Sequence, residues 1–260
     1  MIDIHAHILP GLDDGAASTA EALQMAAIAA AEGTGTMVAT PHVIRGLYDN
    51  TPRQIRAAVA RLNNSLAAEN IALQILPGAE YRLEPDLPRH LQAGRLLTIN
   101  DTGRYLLVEL PSALMPGYAE QLLYEIQLQG VTPIIAHPER NTELVRCPQR
   151  LVSLAQRGIL SQVTAGSLGG HFGPAAKRAA QKMLSSGAAQ AVASDAHSID
   201  KRPPALAAAA QEIETRWGAA LARTVLSTNP RRIIAGQAVE PVVHEQAPGF
   251  LARLCRLFSR

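Results

Sequence analysis

Ile2-Asp3-Ile4-His5-Ala6-His7 is a short β-branched run that closes on two histidines, and apolar runs ending in a polar, metal-type side chain recur along the chain. Seven apolar runs in all read as strands: Ile2–His7, Thr36–His42, Leu73–Glu80, Arg104–Leu110, Thr132–His137, Ser161–Ala165 and Ala189–Asp195. Between and after them lie Ala/Leu/Arg-rich stretches of helical period, at about 52–69, 118–129, 150–156, 174–186, 205–217 and 218–226. An earlier helix is expected to start at Ser18-Thr19-Ala20-Glu21, where hydroxyl and carboxylate can form a capping box, and to end near Gly33. Short strands alternating with helices predict a parallel, barrel-like α/β fold rather than two stacked sheets. No long linker, repeat or low-complexity block interrupts it, so residues 1–239 read as one domain and 240–260 as a tail.

Composition narrows the function classes. The chain has 260 residues, 47% hydrophobic and 18% charged, with a formal charge of +2, enough to bury a sizeable core. No stretch approaches the roughly 18 consecutive apolar residues of a membrane span. The chain opens on Met1-Ile2-Asp3 without a basic and apolar leader, which predicts a cytoplasmic protein. Near-neutral charge and 3% aromatic residues argue against a dedicated nucleic-acid binder. The two cysteines, Cys147 and Cys255, form no C-x-x-C pair.

Six of the seven runs end in potential ligands: His5 and His7, His42, Glu80, Glu109, His137, and Asp195-Ala196-His197. In a parallel β/α barrel the carboxyl ends of all strands face one rim, so these residues are expected to converge. Period-two alternation puts both imidazoles of His5-x-His7 on one face, and Asp195-x-His197 repeats that spacing. A single histidine at a strand end more often caps a carbonyl. That explanation fails for five of eight histidines placed alike beside three carboxylates, a set too costly to bury without cations. Mixed N/O donors without thiolate suit Zn, Mn or Fe, and about nine ligands, with Asp13 or Asp14 included, imply two or three ions. Glu80 could bridge two of them, and such sites activate water and clamp phosphoryl groups.

Six motifs in order carry a family resemblance: His5-Ala6-His7-Ile8-Leu9-Pro10-Gly11-Leu12-Asp13-Asp14-Gly15, Ala39-Thr40-Pro41-His42, Pro77-Gly78-Ala79-Glu80, Leu107-Val108-Glu109, Ile135-Ala136-His137-Pro138-Glu139-Arg140 and Ala193-Ser194-Asp195-Ala196-His197. From Met1 to about Ile234 the chain resembles the PHP (polymerase and histidinol phosphatase) superfamily, and more narrowly the bacterial capsular and exopolysaccharide tyrosine-protein phosphatases. The resemblance implies a distorted seven-stranded, TIM-barrel-like parallel (β/α) barrel with a trinuclear site. It assigns His5, His7, Glu80 and Asp195 to one ion, Glu80, Glu109 and His137 to a second, and Asp14, His42 and His197 to a third, with Asp13 an alternative to Asp14. It further implies a phosphotyrosyl partner, a membrane-associated bacterial tyrosine kinase that regulates capsule or exopolysaccharide synthesis and holds the phosphatase at the membrane periphery. Two rival readings keep the fold: a small-molecule phosphatase of histidinol-phosphatase type, and a non-catalytic kinase-binding module, which the complete ligand set disfavours.

Arg140 and Arg202 follow ligand-bearing strand ends closely, and their guanidinium forks match phosphate oxygens, so both are assigned to phosphate binding and catalysis. Arg45 and Tyr48, in the loop after His42, are further substrate-binding candidates. His90, His171 and His244 fit no motif and are expected at the surface. Cysteine-dependent phosphotyrosine hydrolysis needs Cys-x5-Arg, but Ser153 stands six residues after Cys147. In the tail, Phe250, Leu251, Leu254, Leu257 and Phe258 share one helical stripe with Arg253, Arg256 and Arg260 off it, a pattern suited to the barrel's own surface or to anionic lipid or the kinase.

Overall fold

The computed structural model describes residues 1–239 and Val242; Cys255, His244 and the amphipathic stripe lie outside the described residues. The strands are β1 (Ile2–Ala6), β2 (Thr36–Ala39), β3 (His42–Val43), β4 (Gln74–Pro77), β5 (Glu80–Arg82), β6 (Tyr105–Glu109), β7 (Thr132–Ala136), β8 (Leu160–Thr164) and β9 (Ala191–Ala193). Every pairing is parallel, in a three-stranded sheet β1-β2-β4 and a six-stranded sheet β3-β5-β6-β7-β8-β9.

Parallel strands covered on both sides need apolar residues on both faces, which is why the runs look continuously hydrophobic. Alternation divides them between two cores. Leu107, Ile134 and Ala191 join Ile2, Ile4 and Val38 in a cluster that draws on both sheets. Their neighbours Leu106, Val108, Ile135 and Val192 face the other way, into the core that includes Met25 and Ala26 of α1 (Thr19–Ala31) and Ile55 and Leu62 of α2 (Pro52–Ala68).

Two of the seven sequence runs are each broken in two. Between β2 and β3 stands Pro41, which lacks the N–H a central ladder requires. Between β4 and β5 stands Gly78, where a Cβ would lie 2.8 Å from Val38 Cγ1. These breaks put His42 and Glu80 at the starts of β3 and β5, side by side in register. The two sheets meet again at β1 and β9. Asp195 N donates to His5 O (2.9 Å), His7 N donates to Ala196 O (2.8 Å), and Ala6 bridges Ala196. The H-x-H and D-x-H segments are therefore stitched together by backbone bonds.

Helix expectations hold for the long segments. Ser18 caps α1 as read, accepting from Glu21 N at 3.2 Å, but the Glu21 carboxylate takes Ala17 N rather than closing back on Ser18. The expected helix at 218–226 is instead Ala219–Arg223, a π-turn over Thr224–Thr228 and Asn229–Ile234, the last opening with Pro230 at a position that needs no donor. The short helices Leu87–Gln92, Thr142–Arg146 and Ala165–Gly169 were not expected, being too brief to show a period.

Candidate metal centre

His5 and His7 face each other with Nε2 atoms 3.1 Å apart, and both rings are fully buried. Each ring's other nitrogen is committed: His5 Nδ1 lies 2.8 Å from Gln162 Oε1, and His7 Nδ1 lies 2.6 Å from Asp13 Oδ2. Those oxygens can only accept, so both Nδ1 atoms donate and both Nε2 lone pairs point at one spot. Glu80 Oε2 approaches them at 3.4 Å each, and Asp195 Oδ1 at 3.4 and 3.5 Å. Four such atoms converging in a dry interior repel unless protons on the imidazoles or a metal ion lie among them. Glu80 Oε2 is itself buried without a hydrogen bond, although His42 Nδ1 is 3.0 Å away.

The other assigned residues cluster around this point. Glu80 Oε1 lies 3.0 Å from His137 Nε2, which lies 3.8 Å from Glu109 Oε1. Asp14 Oδ1 lies 3.5 Å from His197 Nε2 and 3.7 Å from His42 Nε2, and the His7 and His197 rings are 3.8 Å apart. Donor atoms of His7, Asp14, His42 and His197, of His5, His7 and Glu80, of His5, His137 and Asp195, and of His42, Glu80 and Glu109 each fall within 4.8 Å of one another. His137 and Asp195 sit just past their strands with left-handed φ of 32° and 53°, an uncommon backbone for either residue that turns their side chains at the strand ends.

The electrostatics follow from this crowding. Burial works against a charged imidazole, yet Glu80 and Asp195 beside His5 hold it above the usual imidazole range, and Asp13, Asp195 and Glu80 do the same more strongly for His7. Burial likewise opposes ionised Glu80 and Asp195, but His5 and the neighbouring imidazoles, with Arg202 near Asp195, keep both well below the carboxylate range. His197 goes the other way, pushed down to about 2 by burial and by the positive charge of His7, and stays neutral with Nδ1 donating to Asp195 O at 2.9 Å.

Asp13 and Asp14, alternatives in sequence, part company here. Asp13 is buried, with Oδ2 accepting from His7 Nδ1 and from His42 N (2.8 Å), and Oδ1 from Gly15 N (3.0 Å). It orients His7, while the half-exposed Asp14 carries the oxygen that faces His42 and His197. Arg140 Nη1 and Arg202 Nη2 both donate to Asp195 Oδ2, at 2.6 and 2.5 Å, and both guanidinium groups lie over the Phe172 ring, 4.7 and 5.8 Å from its centroid. Asp195 thus offers one oxygen to the imidazoles and the other to the arginines. Arg45 does not join them. Its side chain is 81% exposed, 3.9 Å from Asp86, in a separate cavity with Arg89 and His90. Tyr48 does line the cavity that contains Asp14, His42, His137 and His197, its ring parallel to that of His42. His171 is exposed and His90 half-buried beside Asp86. Gln162 and Phe172 were missed: a buried glutamine inside an apolar strand was the available cue for the first, and nothing local marked the second.

A parallel α/β fold with imidazoles and carboxylates gathered at its strand ends, and two arginines on the same rim, defines a multi-ligand metal-site protein of the phosphoesterase kind. The chain belongs to the CpsB/CapC capsular polysaccharide synthesis family, whose model matches residues 1–235. It is 40% identical over 255 residues to tyrosine-protein phosphatase YwqE of Bacillus subtilis (strain 168), covering 96% of this chain and 100% of that one. It is 30% identical over 244 residues to tyrosine-protein phosphatase CpsB of Streptococcus pneumoniae, covering 92% and 100%. Among solved structures it is similar, at TM-score 0.89 and 40% identity over 93% of this chain and 97% of the other, to one described with YwqE and CpsB as unique metal-dependent tyrosine phosphatases.

Proposed function

We propose that this chain is a metal-dependent protein-tyrosine phosphatase. The observation that carries the reading is the pair of converging Nε2 atoms of His5 and His7, 3.1 Å apart and hemmed in by Glu80 and Asp195, with Arg140 and Arg202 held on the far oxygen of that same Asp195. The donor set fits two or three divalent ions, Mn, Fe or Zn: one for His5, His7, Glu80 and Asp195, one for Glu80, Glu109 and His137, one for Asp14, His42 and His197. When bound, such ions supply an activated water and neutralise phosphoryl charge.

The chain's own residues do the rest. Gln162 and Asp13 fix the tautomers of His5 and His7, so that Nε2 stays an acceptor in each ring. Arg140 and Arg202 turn their forks to the phosphoryl oxygens, and Phe172 beneath them keeps both guanidinium planes in place. Asp195 Oδ2 accepts from one nitrogen of each guanidinium, a shared anion that offsets the repulsion between the two like charges and leaves the remaining donors for phosphate.

The two sheets, joined at Ala6 and Ala196, are read as one barrel-like wall of seven runs, two of them interrupted, with residues 1–239 as the catalytic domain. The partner is taken to be a phosphotyrosyl protein of capsule or exopolysaccharide synthesis, a reading that the family description and the relatives' names support, and more narrowly a membrane-associated tyrosine kinase met on the cytoplasmic side, which rests on the sequence resemblance alone. Among the described residues no helix is long and apolar enough to cross a membrane.

The test is side-by-side turnover of a phosphotyrosyl peptide and histidinol phosphate by chelated protein and by protein reloaded with Mn, Fe or Zn, before and after iodoacetamide. Metal-dependent hydrolysis of the peptide, indifferent to alkylation of the exposed Cys147, is expected. A preference for histidinol phosphate, or loss of turnover on alkylation with metal content intact, would overturn it.

A further inference from the structure

The arginines and the metal-ligand cluster meet the phosphoryl group, which every phosphomonoester shares, so they give no means of telling a phosphotyrosine from a phosphoserine. Discrimination needs contact with the group beyond the ester oxygen. Leu47 and Tyr48 stand where that contact falls. Both line the cavity of about 280 Å³ that also contains Asp14, Arg140 and Arg202. For scale, an apolar cavity of about 150 Å³ accommodates benzene.

The turn that presents them is closed by its own backbone hydrogen bonds. Ile44 N donates to Tyr48 O (3.1 Å), and Ile44 O accepts from Tyr48 N (2.8 Å) and Leu47 N (3.0 Å). Gly46 takes φ of 77°, which closes the turn at no steric cost. Ile44 is buried as its anchor, while Leu47 is left 64% exposed. Of the exposed large apolar side chains among the described residues, Leu47 is the one that lines this cavity. The Tyr48 ring is held parallel to the His42 ring, 11° between planes and 6.0 Å between centroids. An aromatic plane backed by His42 and an uncovered leucine, both lining the cavity that contains the arginines, form an apolar wall of which Leu47 is left open to solvent.

We infer that the Ile44–Tyr48 turn is an aryl-recognition wall, in which Leu47 and the Tyr48 ring cover the phenyl group of a phosphotyrosyl ester and so select it over alkyl phosphomonoesters. The inference rests on the phosphatase reading above. The arginines and the turn line one cavity, so an aryl phosphate bound at the guanidinium groups has an aromatic face and a leucine to pack against. Phosphoserine carries a single methylene and no ring, so it gains neither contact.

Two peptides of one sequence, differing only in phosphotyrosine or phosphoserine, decide it with metal-loaded full-length protein. Leu47→Ser combined with Tyr48→Ala is expected to raise KM for the phosphotyrosyl peptide about tenfold or more, to change kcat by less than about threefold, and to lower the kcat/KM ratio between the peptides at least about tenfold. Tyr48→Phe, which keeps the ring, should retain the wild-type ratio. Metal content and circular dichroism are read on the same preparations. Should the double substitution disturb the loop, Leu47→Ser alone, at a side chain that fills no core, carries the test with a ratio lowered about threefold or more. An unmoved ratio in a folded, metal-replete variant overturns the wall while leaving the phosphatase reading standing. Wild-type protein that hydrolyses neither peptide overturns that reading and the wall with it.

Discussion

Replacing Asp13 and Asp14 by asparagine, one at a time, should have opposite signatures although the two residues are adjacent. Asp13 Oδ2 accepts from both His7 Nδ1 and His42 N, and Oδ1 accepts from Gly15 N. Whichever way an amide turns at this buried position, its NH2 faces an N–H that needs an acceptor. Leaving buried donors unsatisfied costs roughly 1–3 kcal/mol, and losing an orienting carboxylate behind a ligating histidine typically weakens metal binding about 10–100-fold. Asp13→Asn should therefore melt about 4–8 °C below wild type without metal, taking about 2 kcal/mol and 2–4 °C per kcal/mol for a domain of this size. It should still bind the full number of ions at saturating concentration. Asp14 is half exposed and accepts no hydrogen bond that holds a loop, so Asp14→Asn should leave the metal-free melting temperature within about 1 °C of wild type. It should instead lose one ion per chain, since an amide oxygen is a poorer ligand beside His42 and His197. Calorimetry of chelated protein and elemental mass spectrometry of reloaded protein give the two readings. Normal metal affinity and melting in Asp13→Asn, with destabilisation in Asp14→Asn, would refute the division of labour.

Three further outcomes follow from the centre. Metal-free protein should be most stable near pH 6.5: His5 and His7 have raised pKa values, so folding holds protons that the unfolded chain releases above pH 6.5 and stability falls as pH rises, whereas His197, at about 2, must stay neutral while the unfolded chain takes up a proton below pH 6.5. Thermal melts of chelated protein from pH 5 to 9 test this, and a monotonic rise would contradict it; metal-loaded protein should gain stability with pH, because the ions compete with those protons. Glu80→Ala should cut bound metal more than any other single ligand change, since its carboxylate lies within 3.4 Å of His5, His7, His42 and His137, and full metal occupancy in that variant would exclude a bridging role. Arg140→Ala and Arg202→Ala should each lower kcat/KM about 10²–10³-fold with metal retained, because the other guanidinium still grips Asp195, and the double variant should also lose metal; changes below about twofold in both singles would reject the assignment.

By itself the sequence determined the alternation of strands and helices, the rim on which the chemistry gathers, and the ligand types. Apolar runs report burial, period-two spacing reports which side chains share a face, and parallel strands bring their carboxyl ends together, so His5, His7, His42, Glu80, Glu109, His137, Asp195 and His197 were legible as one candidate set. Tertiary structure alone decided what depends on approach between distant segments. Gly78 breaks a run because Val38 lies against it, and Gly15 is needed because a Cβ there would fall 1.9 Å from His7 O. Gln162 reaches His5 across 157 residues, Phe172 lies beneath two arginines from different loops, and Arg45, a lesser candidate in the loop after His42, falls in another cavity. Asp13 and Asp14 are chemically identical neighbours, and only the path of the loop, which buries one against His7 and leaves the other facing His42 and His197, gives them different work. Local pattern encodes which faces are buried, but a hydrogen bond between remote residues depends on register and loop path, which the whole fold must close before they are fixed.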